Sequence, residues 1–369
     1  MEQSVYGDRI RLVQEIMQSQ GVDLFALGPS ANLSYLTGYS AAADERLMLM
    51  LLPQRADPFV VINRLYQAPA EELPIQDLVF WSDGENPFHA LAEEIRRRRV
   101  EDVPTLAVEP ELPARFSLPL ASLYPKSRLI SGQDLTMPLR QRKGPEELER
   151  IRQGSAAADQ ALAALMAKNR YWIGKTEEDF ADELDRALRR TGVKDFGCIA
   201  AAGAHAADPH HITSAAPIKD GECFLVDFWG TYQGYYTDCT RTFFFGSPSA
   251  EFELIHSLVL EAHLAAEAVA RPGFTLGDVD AAARKVISDA GYGSAFTHRT
   301  GHGVGIEIHE GASASQGDPT PIAPGMVFSI EPGIYIPGQY GVRIENLVAI
   351  GPEGPEIMHQ YPRELRIIC

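Results

Sequence analysis

The sequence predicts an α+β domain with an internal pseudo-twofold repeat, preceded by a smaller α/β lobe. Three observations carry this expectation. From Val5 to about Leu135, helical segments alternate with short apolar runs, the pattern of an α/β unit. A basic stretch from Met137 to Gly144, bracketed by Pro138 and Pro145, then reads as a linker. Beyond it, Gly174, Thr176, Asp179 and Gly192 recur as Gly273, Thr275, Asp278 and Gly291, an offset of 99 residues. We therefore place domains at 1–135 and 136–369.

In the first lobe the helical stretches are Asp8 to Gln20 and Pro87 to Arg99. The strand-like runs are Leu24 to Leu27, Leu47 to Leu52, Phe59 to Ile62 and Thr105 to Val108. Arg96 to Arg99 could be taken for a nucleic-acid patch, but four cations after Glu93 and Glu94 at a helix C-terminus complement the helix dipole. A new helix begins near Pro145-Glu146-Glu147, where proline and acids suit a first turn. In each half of the repeat a long Ala-rich helix comes first. A second helix follows, opened by the capping box Thr176-x-x-Asp179 or Thr275-x-x-Asp278 and closed by Gly192 or Gly291.

Each half then runs into a hairpin. The first joins Cys223–Trp229 to Tyr235–Phe245 through residues 230–234, and the second joins Met326–Ile336 to Val342–Ile350 through residues 337–341. Pairing that sums to 465 would set Asp227 directly opposite Asp238, with Cβ atoms ~5 Å apart. Centring the second hairpin on Gly338 sets Glu331 opposite Glu345. A buried carboxylate pair is costly unless protonated, paired or bound to metal, and here two pairs recur in symmetry-related hairpins. His302, between Gly301 and Gly303, is a fifth candidate. The Gly301, Gly303, Gly305 series lacks the spacing of a dinucleotide loop. Four carboxylates and one imidazole suit two hard or borderline divalent ions and an activated hydroxide between them.

Composition narrows the function. The 369 residues are 45% hydrophobic and 22% charged, an ordinary globular balance. Lys and Arg number 33 against 50 Asp and Glu, a net charge of −17 that disfavours nucleic acid and anionic membrane surfaces. No apolar run approaches the ~18 residues of a membrane span, and Met1-Glu2-Gln3-Ser4 does not open a secretory signal, so a cytoplasmic protein is expected. Cys198, Cys223, Cys239 and Cys369 lack metal-site or disulfide spacing.

The motifs Pro209-His210-His211, Val226-Asp227-Phe228, Thr237-Asp238-Cys239-Thr240-Arg241-Thr242, Gly301-His302-Gly303-Val304-Gly305, His309-Glu310, Ile330-Glu331-Pro332-Gly333 and Val342-Arg343-Ile344-Glu345 resemble those of the pita-bread metallopeptidases. The resemblance is greatest to Xaa-Pro dipeptidases (prolidases) and Xaa-Pro aminopeptidases. Asn32-Leu33-Ser34-Tyr35-Leu36-Thr37-Gly38 resembles the creatinase-like N-terminal domain that accompanies this fold. The resemblance implies two divalent metals, manganese first with cobalt or zinc as alternatives. Asp227 and Asp238 would hold one ion, His302 would join the other, and Glu331 and Glu345 would complete the set, with Asp238 and Glu345 bridging.

It also implies that His210, His298 and His309 contact substrate, that Arg343 supports the ligands, and that Tyr335 lies near the metals. Glu331 is expected to be both ligand and proton shuttle, with His298 and His309 stabilising the oxyanion. One departure stands out. Where archaeal prolidases carry a carboxylate-gripping Arg four residues after the second His, this chain has Ser313. Asp44, Glu45 and Arg46 are candidates for reaching the substrate from a homodimer partner, with a surface charge cluster as the alternative reading. The expected activity is hydrolysis of Xaa-Pro dipeptides by a hydroxide bridging two metals. The alternatives are Xaa-Pro aminopeptidase action on longer peptides, another amidohydrolase on this fold, or a silent peptide-binding protein.

Overall fold

The computed structural model describes residues 2–40 and 43–369. It divides into two compact units, 1–140 and 141–369. In the first, a six-stranded mixed sheet runs in the order Leu78–Trp81, Phe59–Asn63, Leu49–Pro53, Leu24–Leu27, Thr105–Val108, Arg128–Ser131. Its inner strands are the expected apolar runs, every residue of the Leu24–Leu27, Leu49–Pro53 and Phe59–Asn63 strands being buried. The two edge strands were not among the expected runs; Leu78–Trp81 is only partly buried and Arg128–Ser131 is largely exposed. Helices Glu2–Gln20 and Pro87–Arg98 accompany the sheet. The latter ends at Arg99 in a left-handed cap, and Arg97 and Arg98 pair with Glu94, as its dipole-complementing reading requires.

The helix Ala31–Thr37 was not expected. It buries Asn32, which accepts hydrogen bonds from Thr136 Oγ1 (2.6 Å) and Arg140 Nη1 (2.8 Å) and donates to Glu109. This local network accounts for the polar residue at the head of the Asn32–Gly38 motif. The expected linker is partly helical: Met137–Arg140 complete the helix Gln133–Arg140, with Pro138 inside it. The next helix starts at Pro145, with Glu147 capping the Gly144 N–H at 2.7 Å.

The second unit shows the repeat. Helices Pro145–Met166 and Glu177–Arg190 precede the strands Lys194–Ala202, Cys223–Tyr232 and Tyr235–Phe245. Helices Ala250–Val269 and Leu276–Asp289 precede Val327–Ile330, Gly333–Ile336, Tyr340–Arg343 and Asn346–Ile350. Both capping boxes form, Thr176 with Asp179 and Thr275 with Asp278. The second hairpin keeps the expected register: Gly333 pairs with Arg343 and Val327 with Ala349, both consistent with a centre at Gly338.

The first hairpin differs from expectation. Asp227 pairs with Thr240 and Trp229 with Asp238, because Tyr232 pairs with Tyr235 across a two-residue turn. Gln233 (φ 49°) and Gly234 (φ 82°) both adopt the left-handed conformation that such a turn requires, so Gly230, Thr231 and Tyr232 belong to the strand. Asp227 and Asp238 are therefore diagonal neighbours. A shift of two in the pairing sum keeps them on the same face.

Candidate metal centre

Alternation along the first hairpin sorts its side chains. Phe224, Val226 and Phe228, with Cys239, Phe243 and Phe245, pack into the core of the first half, whereas Cys223, Leu225 and Phe244 pack into the core of the second. Asp227, Asp238 and Thr240 share the face of Leu225 and Phe244, so the acids are aimed between the two halves. In the second hairpin, Glu331 and Glu345 sit where pairing breaks between two strand segments. Pro332 has no N–H to donate, and the Glu331 and Glu345 amides turn instead to Thr300 O (2.7 Å) and Thr240 O (3.1 Å). His302 lies on the short Gly301–His302 strand. A Cβ at position 301 would lie 1.8 Å from Ser329 O, so glycine is needed for this close approach.

The five side chains converge. His302 Nε2 is 3.3 Å from Glu331 Oε1 and 3.5 Å from Asp238 Oδ2. Candidate ligand atoms of Asp238, His302 and Glu345 all fall within 4.8 Å of one another. His302 Nδ1 donates to Gly303 O (3.3 Å), which leaves the Nε2 lone pair facing the acids. Thr240 Oγ1 donates to Glu345 Oε2 (2.7 Å), Ser329 Oγ to Glu331 Oε1 (3.0 Å) and Arg343 Nη2 to Asp227 Oδ2 (2.6 Å). Glu345, Glu331 and Asp227 each keep one oxygen outside these bonds, and Asp238 keeps both.

Asp227 Oδ1, Asp238 Oδ1 and Glu345 Oε1 are buried with no hydrogen-bond partner among the described residues. Orphaned buried carboxylate oxygens are costly, and a divalent cation is the partner that satisfies several at once. Burial, reinforced by the neighbouring acids, pushes Asp238 and Glu345 well above the usual carboxylate range, and burial raises Glu331 to about 7. Burial also lowers His302 to about 3, so its imidazole is a neutral donor. The set is short of positive charge and rich in oxygen and nitrogen lone pairs, so it fits divalent metal.

The acids open into a cavity of ≈ 270 Å³ whose wall includes His210, His298, His309 and Arg343. His309 stands edge-on to His302 with ring centres 4.1 Å apart. Burial lowers His298 to about 4, and both its nitrogens are engaged. Nδ1 donates to Arg299 O (2.7 Å), while Nε2 accepts from Tyr335 Oη (2.8 Å). Tyr335 Oη accepts in turn from Arg343 Nη1 (2.9 Å), so His298, Tyr335, Arg343 and Asp227 form one chain. Arg46 lies in the N-terminal unit, paired there with Glu45 (2.6 Å) and Asp83 (2.9 Å). Ser313 pairs with His302 across strands and its hydroxyl donates to Ser315 Oγ (3.2 Å).

The sequence reading missed several residues. Trp229, Ile199 and Ile308 line the cavity, and Arg299 brings to its wall a guanidinium with no hydrogen bond or ion pair among the described residues. Ser329 precedes Glu331 by two, so strand periodicity could have flagged it. The buried Arg241 carried no local signal for its role. It donates to Thr240 O, Asn346 Oδ1, Tyr361 O and Pro362 O, and to Glu345 O, locking the two hairpins together.

Two pseudo-symmetric halves enclosing five convergent lone-pair donors define a metallopeptidase of the pita-bread class, preceded in the chain by a creatinase-like domain. The chain belongs to metallopeptidase family M24, which it matches over residues 149–352, and residues 9–142 match the creatinase/prolidase N-terminal domain. It is 34% identical over 372 residues to a probable dipeptidase PepE of Mycobacterium tuberculosis, covering 99% of this chain and 97% of that one. It is 33% identical to an Xaa-Pro dipeptidase of Lactobacillus helveticus, covering 96% and 98%. The crystal structure of a prolidase from Thermococcus sibiricus superposes with a TM-score of 0.93 at 32% identity, covering 98% of this chain and 99% of that one. The chain is thus a peptidase. Among the described residues no helix is long and apolar enough to cross a membrane.

Proposed function

We propose that this peptidase hydrolyses the bond before proline in Xaa-Pro dipeptides, with Asp227, Asp238, His302, Glu331 and Glu345 holding two divalent ions, manganese first. The observation that carries the reading is the convergence of orphaned oxygens on Asp227, Asp238 and Glu345 beneath a small cavity. At ≈ 270 Å³ the cavity lies at the lower edge of the roughly 300–1,000 Å³ typical of ligand pockets, which suits a dipeptide. When bound, the ions supply an activated hydroxide and polarise the scissile carbonyl.

The chain's own residues do the rest. Glu331 receives Ser329 on Oε1, and its other oxygen takes the water's proton and delivers it to the proline nitrogen, which is too basic to leave as an anion. His309 and His210 face the developing oxyanion. His298, both of whose nitrogens are engaged, instead fixes Tyr335 and Arg343. The X-Pro amide has no N–H, so an enzyme that reads it relies on the carbonyl and the chain ends. Arg299 is the unpaired cation on the cavity wall and takes the role of carboxylate anchor that Ser313 cannot fill.

Metal-reconstituted protein tested on Ala-Pro, Ala-Ala and Ala-Pro-Gly-Gly decides the reading. Cleavage of Ala-Pro alone is expected, and cleavage of Ala-Ala at an equal rate would overturn the proline assignment. An aminopeptidase reading has one observation in its favour. A groove of ≈ 490 Å³, lined by Tyr292, Thr297 and Ile336, shares Pro209 with the cavity. Equal or faster cleavage of the tetrapeptide would select it.

A further inference from the structure

A second carboxylate–imidazole group lies away from the acid cluster. Glu177 opens the helix Glu177–Arg190, and its side chain is 0% exposed. Its Oε1 accepts from the Ala202 N–H (2.8 Å) and His205 Nδ1 (2.8 Å). Its Oε2 accepts from His211 Nε2 (2.9 Å), the Ser214 N–H (3.0 Å) and Ser214 Oγ (2.8 Å). Burial opposes its charge, but these donors outweigh that and hold Glu177 below the ordinary carboxylate range.

The three side chains have the donor set of a metal site, and the His205 and His211 rings stack 4.3 Å apart. The carboxylate already takes five hydrogen bonds, two of them from backbone N–H groups, at a helix N-terminus whose dipole favours an anion. The group is a closed cradle for the Glu177 anion.

The cradle's donors come from two limbs of one segment. Ala202 and His205 stand where the chain leaves its strand, and His211 and Ser214 where it returns. Between the limbs are Pro209 and His210, both on the wall of the catalytic cavity. The His210 N–H donates to Asp208 Oδ1 (3.0 Å), but its ring makes no hydrogen bond among the described residues. His211 is tied back to Glu177, while His210 faces the cavity.

We propose that Glu177 is a positioning residue for His210, clamping both limbs of the 203–214 segment with one buried carboxylate and so holding the imidazole against the substrate. This rests on the peptidase reading of the cavity. The test uses Glu177→Gln and His211→Ala in the full-length, metal-loaded enzyme, each alone and combined with His210→Ala. Both single variants keep the wild-type metal content and lose on the order of 10–100-fold in kcat/KM on Ala-Pro, the scale of a small misplacement of a reacting group. Added to His210→Ala, either costs less than about twofold more, because His210 and its tether act as one unit. Ring NMR resonances of His210, read without substrate, broaden or split in Glu177→Gln. Additive losses, or an unchanged His210 spectrum, overturn the tether. A wild type inert toward Ala-Pro overturns the substrate reading instead, and the spectrum then judges the tether alone. If Glu177→Gln fails to fold, His211→Ala, which leaves the carboxylate four hydrogen bonds, is judged by the same readouts.

Discussion

Arg343 Nη2 donates a 2.6 Å hydrogen bond to Asp227 Oδ2 although 116 residues separate them. The guanidinium is buried and also holds Tyr335 Oη and Thr240 Oγ1, so it sets the direction in which Asp227 presents its orphaned Oδ1. Arg343→Met is expected to weaken metal binding by about 10–100-fold, as loss of a group orienting a ligand does. Asp227→Asn should remove at least one ion outright and abolish hydrolysis with the fold intact. Calorimetric metal titration with elemental analysis checks both, and full two-ion occupancy with wild-type turnover in Asp227→Asn would refute the ligand assignment.

Glu331→Gln tests the proton shuttle. With both metals confirmed in place, kcat on Ala-Pro should fall by a large factor, on the order of 10²–10⁴, while KM changes little, because the proton transfer is made only in the transition state. Near-wild-type kcat would move that role to another group, His309 being the nearest candidate.

Arg299 lines the cavity and makes no hydrogen bond or ion pair through its guanidinium among the described residues. If it grips the dipeptide carboxylate, Arg299→Ala raises KM by tenfold or more at nearly constant kcat, since a charge-assisted hydrogen bond contributes about 1.5–3 kcal/mol. The penalty should shrink for a dipeptide amide. An equal penalty on acid and amide would show that Arg299 does not read the carboxylate.

Asp159 supplies a pH dependence of stability through a side chain outside the five-residue set. Burial works against its charge, but His359 Nδ1 (2.9 Å) and the Gln360 N–H more than offset this and hold the carboxyl below its ordinary value. A depressed folded value means that the stabilisation is complete above the unfolded value of about 3.9 and is lost as pH falls through the folded one. Asp159→Asn should therefore be less stable than wild type at pH 7, with the gap closing below about pH 4. Urea unfolding at pH 7, 5 and 3.5 reads this, and a gap independent of pH would contradict it.

The second hairpin's register is legible because its turn is centred on Gly338; the ladders on either side keep that centre, while Glu331 and Glu345 fall in the break between them. The first was misread by one step on each strand because Gln233, a residue that seldom takes a positive φ, forms half of its turn. The error left the site intact: alternation fixes the face of each acid, and a shift of two preserves it. The family resemblance singles out His298, but its hydrogen bond to Tyr335, 37 residues away, has no local signal because it depends on how the strand and the loop meet.

Sequence alone determined the repeat, the apolar strands and the capping boxes, and it named the five candidate lone-pair donors, because each is written in local periodicity or in residue chemistry at short range. Tertiary structure decided which acid oxygens stay unpartnered, which imidazole nitrogen faces them, and that among the described residues Arg299 makes no ion pair while Arg46 pairs with Glu45 and Asp83. Those outcomes depend on contacts between segments about a hundred residues apart, such as Thr240 with Glu345 and Arg343 with Asp227. They are set when the two halves pack and water is excluded between them, and no local pattern in the chain encodes that geometry.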